Sequence, residues 1–412
     1  MTQTYNSCGF VRPFGFGRLL FRWNASIWKA IWFELFLWLA VYYFIMIIYW
    51  SLPHKNKQTF ENVALDWQEY NSTSVTVITF ALGFYVTQSF DRWWNNWLNI
   101  PWIDPAAQAI TAAVRPPKDK SSGDEKALMI RRTLVRYLNL AAALTFQTCS
   151  ERVGSEYRGI ESLKKIGLLT ENEAREILNT QFDTHIYFIP ITWAVNLLSK
   201  AHEEGYVNER MHEMCMKRIE QFRTWCGNLL AYKWVPIPLI YTQVITVAVY
   251  FYFLVELVGG QFLDPNKGYP GHRLDWGIPV FDTIMFVILV GWLKAAELMK
   301  HPFGLDEDAF ELMWILNRNV DVGYNIVTQR FDSMPTLTKD KFWSTARPLG
   351  QSPRRPGATT LAFGAEHKKV DTSILFRARK KSYADHSTDL SYVAVGDGEE
   401  SKSADGLNAS LL

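Results

Sequence analysis

Apolar residues gather into four runs separated by well-solvated segments, and each run approaches the 20 or so residues that a helix needs to cross a hydrocarbon core. Residues 28–50 (WKAIWFELFLWLAVYYFIMIIYW) carry only Lys29 near one end and Glu34 inside. Residues 236–258 (PIPLIYTQVITVAVYFYFLVELV) and 278–299 (IPVFDTIMFVILVGWLKAAELM) contain the carboxylates Glu256 and Asp282. Residues 74–94 are interrupted by Thr76, Thr79, Thr87, Gln88 and Ser89, and a helix dotted with polar groups inside a membrane faces protein or water rather than lipid. The expected fold class is therefore all-α, a four-span membrane protein. Charges recur with helical period in KALMIRRTLVRYLN (126–139), 171–180 and 209–225, which predicts a helical cytosolic region over 100–235 and 300–345, continuous with the spans in one core of residues 1–345. Residues 346–412 shift to Ser, Pro, Gly, Lys and Asp, with SPRRPG, RARKKS and GDGEESKSADG. That composition predicts a disordered cytosolic tail.

Within the second run, Thr76, Phe80, Phe84 and Gln88 recur every four residues and share one helix face, with Val77 and Thr87 beside it. Such a face is either a helix packing surface or, if several subunits place it around an axis, the wall of a pore. It mixes hydroxyl, aromatic and amide groups where a lipid-facing surface would carry Leu. Rings of Phe80 and Phe84 would form a hydrophobic constriction that gates by dewetting. Inward-turned aromatic edges, which carry partial positive charge, would tolerate a partly dehydrated anion.

Composition narrows the classes further. The 412 residues are 48% hydrophobic and 15% aromatic, yet the mean hydropathy is near zero, the profile of a membrane protein with a large soluble part. A formal net charge of +2 gives no basic surface for nucleic acid. Cys8, Cys149, Cys215 and Cys226 form no CxxC pair, which argues against a disulfide scaffold or a zinc site. The N-terminus lacks the apolar run and small-residue cleavage site of a signal peptide. Arg12, Arg18, Arg22 and Lys29 precede the first span, so both termini are expected in the cytosol. The sequon Asn71-Ser72-Thr73 then falls in an external loop where glycosylation is allowed, while those at Asn24 and Asn408 are cytosolic and silent. Glu34 and Asp282 read either as ion or proton sites or as hydrogen-bonded helix groups. The run 377–382 (RARKKS) reads as a solvated basic segment, with anionic lipid or a basophilic kinase as the alternatives. GxSxG, P-loop and HExxH motifs are absent and the eight histidines are scattered, so no enzyme is expected.

Several long motifs carry a family resemblance. FALGFYVTQSFDRWWNNWLNIPW (80–102), YTQVITVAVYFYFLVELVGGQFLDPNKGYPGH (241–272) and GWLKAAELMKHPFGLDEDAFE (291–311) resemble animal bestrophins, as do MTQTY at the start, RRTLVRY (131–137) and RTWCG (223–227). The likeness covers roughly residues 1–345. It implies a homopentameric, multi-pass plasma-membrane channel for chloride, permeable also to bicarbonate and often opened by cytosolic calcium. The neck residues it implies are Thr76, Phe80 and Phe84; Thr76 stands where an isoleucine is usual, and Val77 replaces a proline. A second, cytosolic aperture falls on Arg210, with Met211 as the alternative. The implied calcium site takes a carboxylate from Asp306 and carbonyls from Leu298, His301 and Gly9 or Phe10. Ala309 stands where the second carboxylate belongs, leaving Asp308 as a substitute. Read without the family, the acids after the last span are a solvated helix N-terminus. The rival function is a membrane scaffold that binds other channels and conducts nothing itself; a transporter should show internal repeats, which the four unequal spans lack.

Overall fold

The first apolar run forms helix α1 (Ile27–Ser51), opened by the Ser26 hydroxyl, which accepts from the Lys29 amide at 3.4 Å, and ended at Leu52 before Pro53. Proline holds the preceding residue extended and has no amide hydrogen to continue a helix. The same device sets the starts of α10 (Leu239–Gly259) after Pro238 and α11 (Val280–Met299) after Pro279. These helices lie within one to three residues of the runs that predicted them.

The second span departs from expectation. Residues 74–94 are only the later part of α2 (His54–Leu98), a helix of 45 residues. At 1.5 Å per residue it is about 67 Å long, more than twice a hydrocarbon core of about 30 Å. Residues 54–73 are polar but contain no glycine or proline, so nothing interrupts the backbone hydrogen bonding. What the sequence suggested as an external loop is mostly helix.

The computed structural model describes residues 17, 20–117, 125–180, 185–269, 277–306, 309–340 and 343. The chain divides into two compact units, Met1–Pro335 and Thr336–Leu412. Among the described residues there are helices and turns but no strand. In the first unit, α1, α10, α11 and the later half of α2 bury a core that includes Ile31, Trp38, Leu82, Tyr85, Val249, Phe253, Phe286 and Leu293. Aromatic rings interlock there, with Trp38 and Phe253 5.3 Å and 4.8 Å from Phe286 between centroids. The Trp38 indole donates to the Phe253 carbonyl at 3.1 Å.

A second core is built from α3 (Asp104–Ala113), α4 (Glu125–Cys149), α5 (Glu151–Glu156), α6 (Gly159–Lys165), α7 (Glu171–Asn179), α8 (Phe188–Glu203), α9 (Glu209–Trp234) and α12 (Leu312–Tyr324). Helix α4 is central, buried at Leu134, Leu138, Ala141, Ala142 and Phe146. Its Arg131 is buried too, and its guanidinium caps the carbonyls of Val327 at 3.2 Å and Val114 at 3.0 Å. Cys149, Cys215 and Cys226 are free and buried here. Burial pushes the Cys149 and Cys226 thiols up to about 12 and Cys215 to about 11, which makes them packing groups rather than nucleophiles.

Candidate pore and ion sites

Helix α2 turns two unlike faces outward and inward. Leu82, Tyr85 and Ser89 are buried against the chain's own helices. Tyr85 reaches Thr242 at 3.4 Å, and the Lys300 ammonium also donates to Thr242, at 3.1 Å. On the other face Thr76, Thr87 and Gln88 are exposed, and Val77, Phe80 and Phe84 are 68%, 68% and 59% exposed. Phe80 and Phe84 meet edge to face, 4.8 Å between centroids at 79°. Among the described residues, the helix therefore does not use this face to pack within its own chain. A contiguous stripe of large aromatics left uncovered on one chain marks a surface completed by something else.

At the cytosolic aperture position, Arg210 is exposed in the first turn of α9, whose N-cap Asn208 accepts from the Met211 amide at 2.9 Å. Met211, its alternative, packs partly buried against the second core.

The acidic loop after α11 is only partly assembled among the described residues. Asp306 is exposed; Asp308 and Gly9 lie outside the described residues. The Leu298 carbonyl accepts the His301 amide at 3.2 Å and the His301 carbonyl accepts the Gly304 amide at 3.1 Å. Ala309 is buried, and a cavity of about 160 Å³ beside it is lined by Ser150, Arg152, Asp306 and Glu311 among others. Arg152 pairs with Glu311 at 3.5 Å, so a cation already stands at that wall. Calcium takes six to eight oxygens, typically with several carboxylates. Asp306 is the sole carboxylate of the implied site among the described residues, and no group of three or more His, Cys, Asp or Glu converges among them. These residues do not by themselves make a calcium site.

Glu34 and Asp282, read from sequence as ion sites or hydrogen-bonded groups, meet different partners. Glu34 pairs with Lys294 at 2.9 Å and accepts from the Tyr250 hydroxyl at 2.7 Å. Asp282 lies with Glu256 against Gly260 and forms no ion pair among the described residues. Asn71, the expected glycosylation site, is 3% exposed in the interior of α2, and its amide donates to the Tyr252 carbonyl at 3.2 Å and to Glu256. The expectation of an available sequon is corrected: a buried, hydrogen-bonded amide is not presented to a transferase. Tripeptide spacing could not show this, because its partners lie 181 and 185 residues away.

Two of the described helices, Ile27–Ser51 and Leu239–Gly259, are long and apolar enough to cross a membrane. The fold is thus all helical among the described residues, with these two helices in one core and a second helical core beside it. A family model described as "Bestrophin, RFP-TM, chloride channel" matches residues 1–329, and the chain belongs to the bestrophin family. It is 38% identical to human bestrophin-3 over 354 residues, covering 84% of this chain and 52% of that one. It is 35% identical to mouse bestrophin-2 over 349 residues, 84% of this chain and 67% of the relative, and 32% identical to Caenorhabditis elegans bestrophin homolog 24 over 348 residues, 83% and 54%. The chain spans a little over half the length of several of the curated relatives it matches. In structure it matches a bacterial bestrophin homologue from Klebsiella pneumoniae with a TM-score of 0.54 at 18% identity, covering 73% of this chain and 99% of that one. This likeness speaks for the fold.

Proposed function

We propose that this chain is an anion channel of the plasma membrane that conducts chloride passively through a central pore, with four spans and both termini in the cytosol. Several copies, five on the family resemblance, set the exposed face of α2 around a common axis. The observation that carries this reading is the uncovered stripe through Thr76, Phe80 and Phe84, opposite a face packed into the chain's own core. Stacked rings of phenylalanine make a constriction that water leaves readily, so conduction requires it to widen. The hydroxyl of Thr76 keeps the ring at its level wetter than an aliphatic side chain would. Arg210, exposed at the start of α9, would add a ring of positive charge at the cytosolic aperture and favour anions there.

Calcium control is expected to be weak. Ala309 withholds one of the two carboxylates the resemblance calls for, leaving Asp306 and, as a substitute, Asp308 to supply the negative charge. The current should persist when cytosolic calcium is chelated. A family of channels also suits a chain in which no enzyme motif is found.

The test is whole-cell recording from cells expressing the chain alone, comparing Phe80→Ala and Phe84→Ala with the wild type. Larger basal chloride current in both variants supports the neck. Surface-expressed protein with no current in any of the three would point to a regulatory scaffold instead.

A further inference from the structure

Three polar side chains from three helices meet at the ends of α10 and α11 that residues 260–279 connect, the side the charge pattern makes external. Glu256 lies in the last turn of α10, Asp282 in the first turn of α11, and Asn71 on α2, five residues before Thr76. The carboxyls of Glu256 and Asp282 converge on Gly260. Gly260 lies against both: a Cβ there would stand 3.0 Å from Glu256 Oε1 and 3.2 Å from Asp282 Oδ2. An ionised carboxylate is an acceptor only, so two of them cannot share a hydrogen bond unless one carries a proton.

Among the described residues, no cation stands in for the proton. Two other carboxylates beside these helices have an ammonium at hand, half-buried Glu34 with Lys294 at 2.9 Å and buried Glu61 with Lys267 at 2.6 Å. Neither Glu256 nor Asp282 forms an ion pair with any described residue. Among the described residues, the titratable groups facing the pair are each other, across α10 and α11, and Tyr252 one turn earlier on α10. From α2 comes Asn71, whose amide nitrogen donates to Glu256 and to the Tyr252 carbonyl. Its Oδ1 is buried with no hydrogen-bond partner, an acceptor left at the site for a further proton-bearing group.

We propose that Glu256, Asp282 and Asn71 form a proton-binding site in which one proton, shared by the two carboxyls, ties α10 and α11 to the helix that carries Thr76, Phe80 and Phe84. When that proton leaves to external water, two like charges are in contact and repel. The contact opens, and Asn71, hydrogen-bonded to α10 alone, loses the link that Glu256 makes from it to α11. External acid therefore holds the outer half of α2 in place, and external alkali releases it. The site itself does not depend on the channel reading; only its electrical consequence does.

Two measurements separate the site from its consequence. In the first, infrared difference spectra of the purified full chain are recorded between alkaline and acidic pH, across the loss of the proton that the two carboxyls share. The wild type should show a protonated-carboxyl band that is missing in Glu256→Gln. Identical spectra would overturn the proposal, as would a band erased at constant pH by sodium, potassium or calcium, which would make this a cation site. Asp282→Asn replaces Glu256→Gln if the latter does not fold. In the second, chloride current is recorded while external pH is stepped over the same range. It should change severalfold in the wild type and stay flat in the variant, and equal responses would overturn the coupling to α2. An intact infrared signal with no current in either protein would uphold the site and refute the channel reading.

Discussion

Replacing Glu173 with glutamine removes the charge from the most densely satisfied polar contact of the soluble core. Glu173 is the third residue of α7 and closes a capping box with Thr170, whose amide donates to it at 2.8 Å. Arg136 on α4 grips both its oxygens, at 2.6 Å and 2.7 Å, and the Tyr137 hydroxyl donates at 2.9 Å. Both side chains of the ion pair are largely shielded, 14% and 13% exposed, so solvent screening takes little from it. Burial alone pushes the carboxyl up, but the Arg136 fork, the Thr170 amide and the Tyr137 hydroxyl outweigh it and hold Glu173 at about 2, against an ordinary value of 4.5. At about 1.4 kcal/mol per pH unit, that depression corresponds to about 3 kcal/mol of stability at neutral pH. Because the folded-state value is the lower one, this contribution is complete above about 4.5 and is lost as pH falls toward about 2. Thermal melts of the detergent-solubilised full chain at about pH 7 should place Glu173→Gln roughly 5–10 °C below wild type. The gap should narrow to less than half of that near pH 3, where much of the wild-type advantage is gone. Equal melting at neutral pH, or a gap that ignores pH, would refute the assignment.

Thr76→Ile should lower the basal chloride current by drying the neck, read by whole-cell recording at fixed surface expression; a raised current would contradict the account. Gly259→Ala should destabilise the bundle by about 1–3 kcal/mol, since the added Cβ would lie 2.9 Å from the Gln68 backbone nitrogen and 3.2 Å from the Trp67 carbonyl carbon, neither of which can rotate away. A lowered melting temperature in detergent is the readout. Glycosidase treatment of the protein from cells should leave its mobility unchanged, and Asn71→Gln should migrate as wild type does, because Asn71 is buried and hydrogen-bonded.

Helix positions were largely legible because the apolar runs are punctuated by Pro53, Pro238 and Pro279, which act locally. The full extent of α2 was not, because its earlier half is polar yet holds no residue that must stop a helix. The four-residue spacing of Thr76, Phe80 and Phe84 announced a common face, and they do share one exposed face. Whether that face was covered by the chain's own helices could be read only once Leu82 and Tyr85 were seen to take the inward side. Contacts between distant segments stayed hidden: Glu256 and Asp282 looked like isolated carboxylates in separate spans, and nothing local tied either to Asn71. Glu34 looked equally suspect and is neutralised by Lys294 from another helix. Arg210 and Met211 are adjacent in sequence, yet one points to solvent and the other into the core, a difference of helix phase that a gapless count does not resolve.

The central claim is that this chain alone conducts anions, and the direct measurement is the reversal potential of purified full-length protein in a planar bilayer under a tenfold chloride gradient. The account predicts single-channel currents reversing near the chloride equilibrium potential, about 59 mV for a tenfold gradient of a monovalent ion, with calcium chelated on both sides. Currents reversing near the cation potential, or a silent bilayer with correctly folded protein, would contradict it.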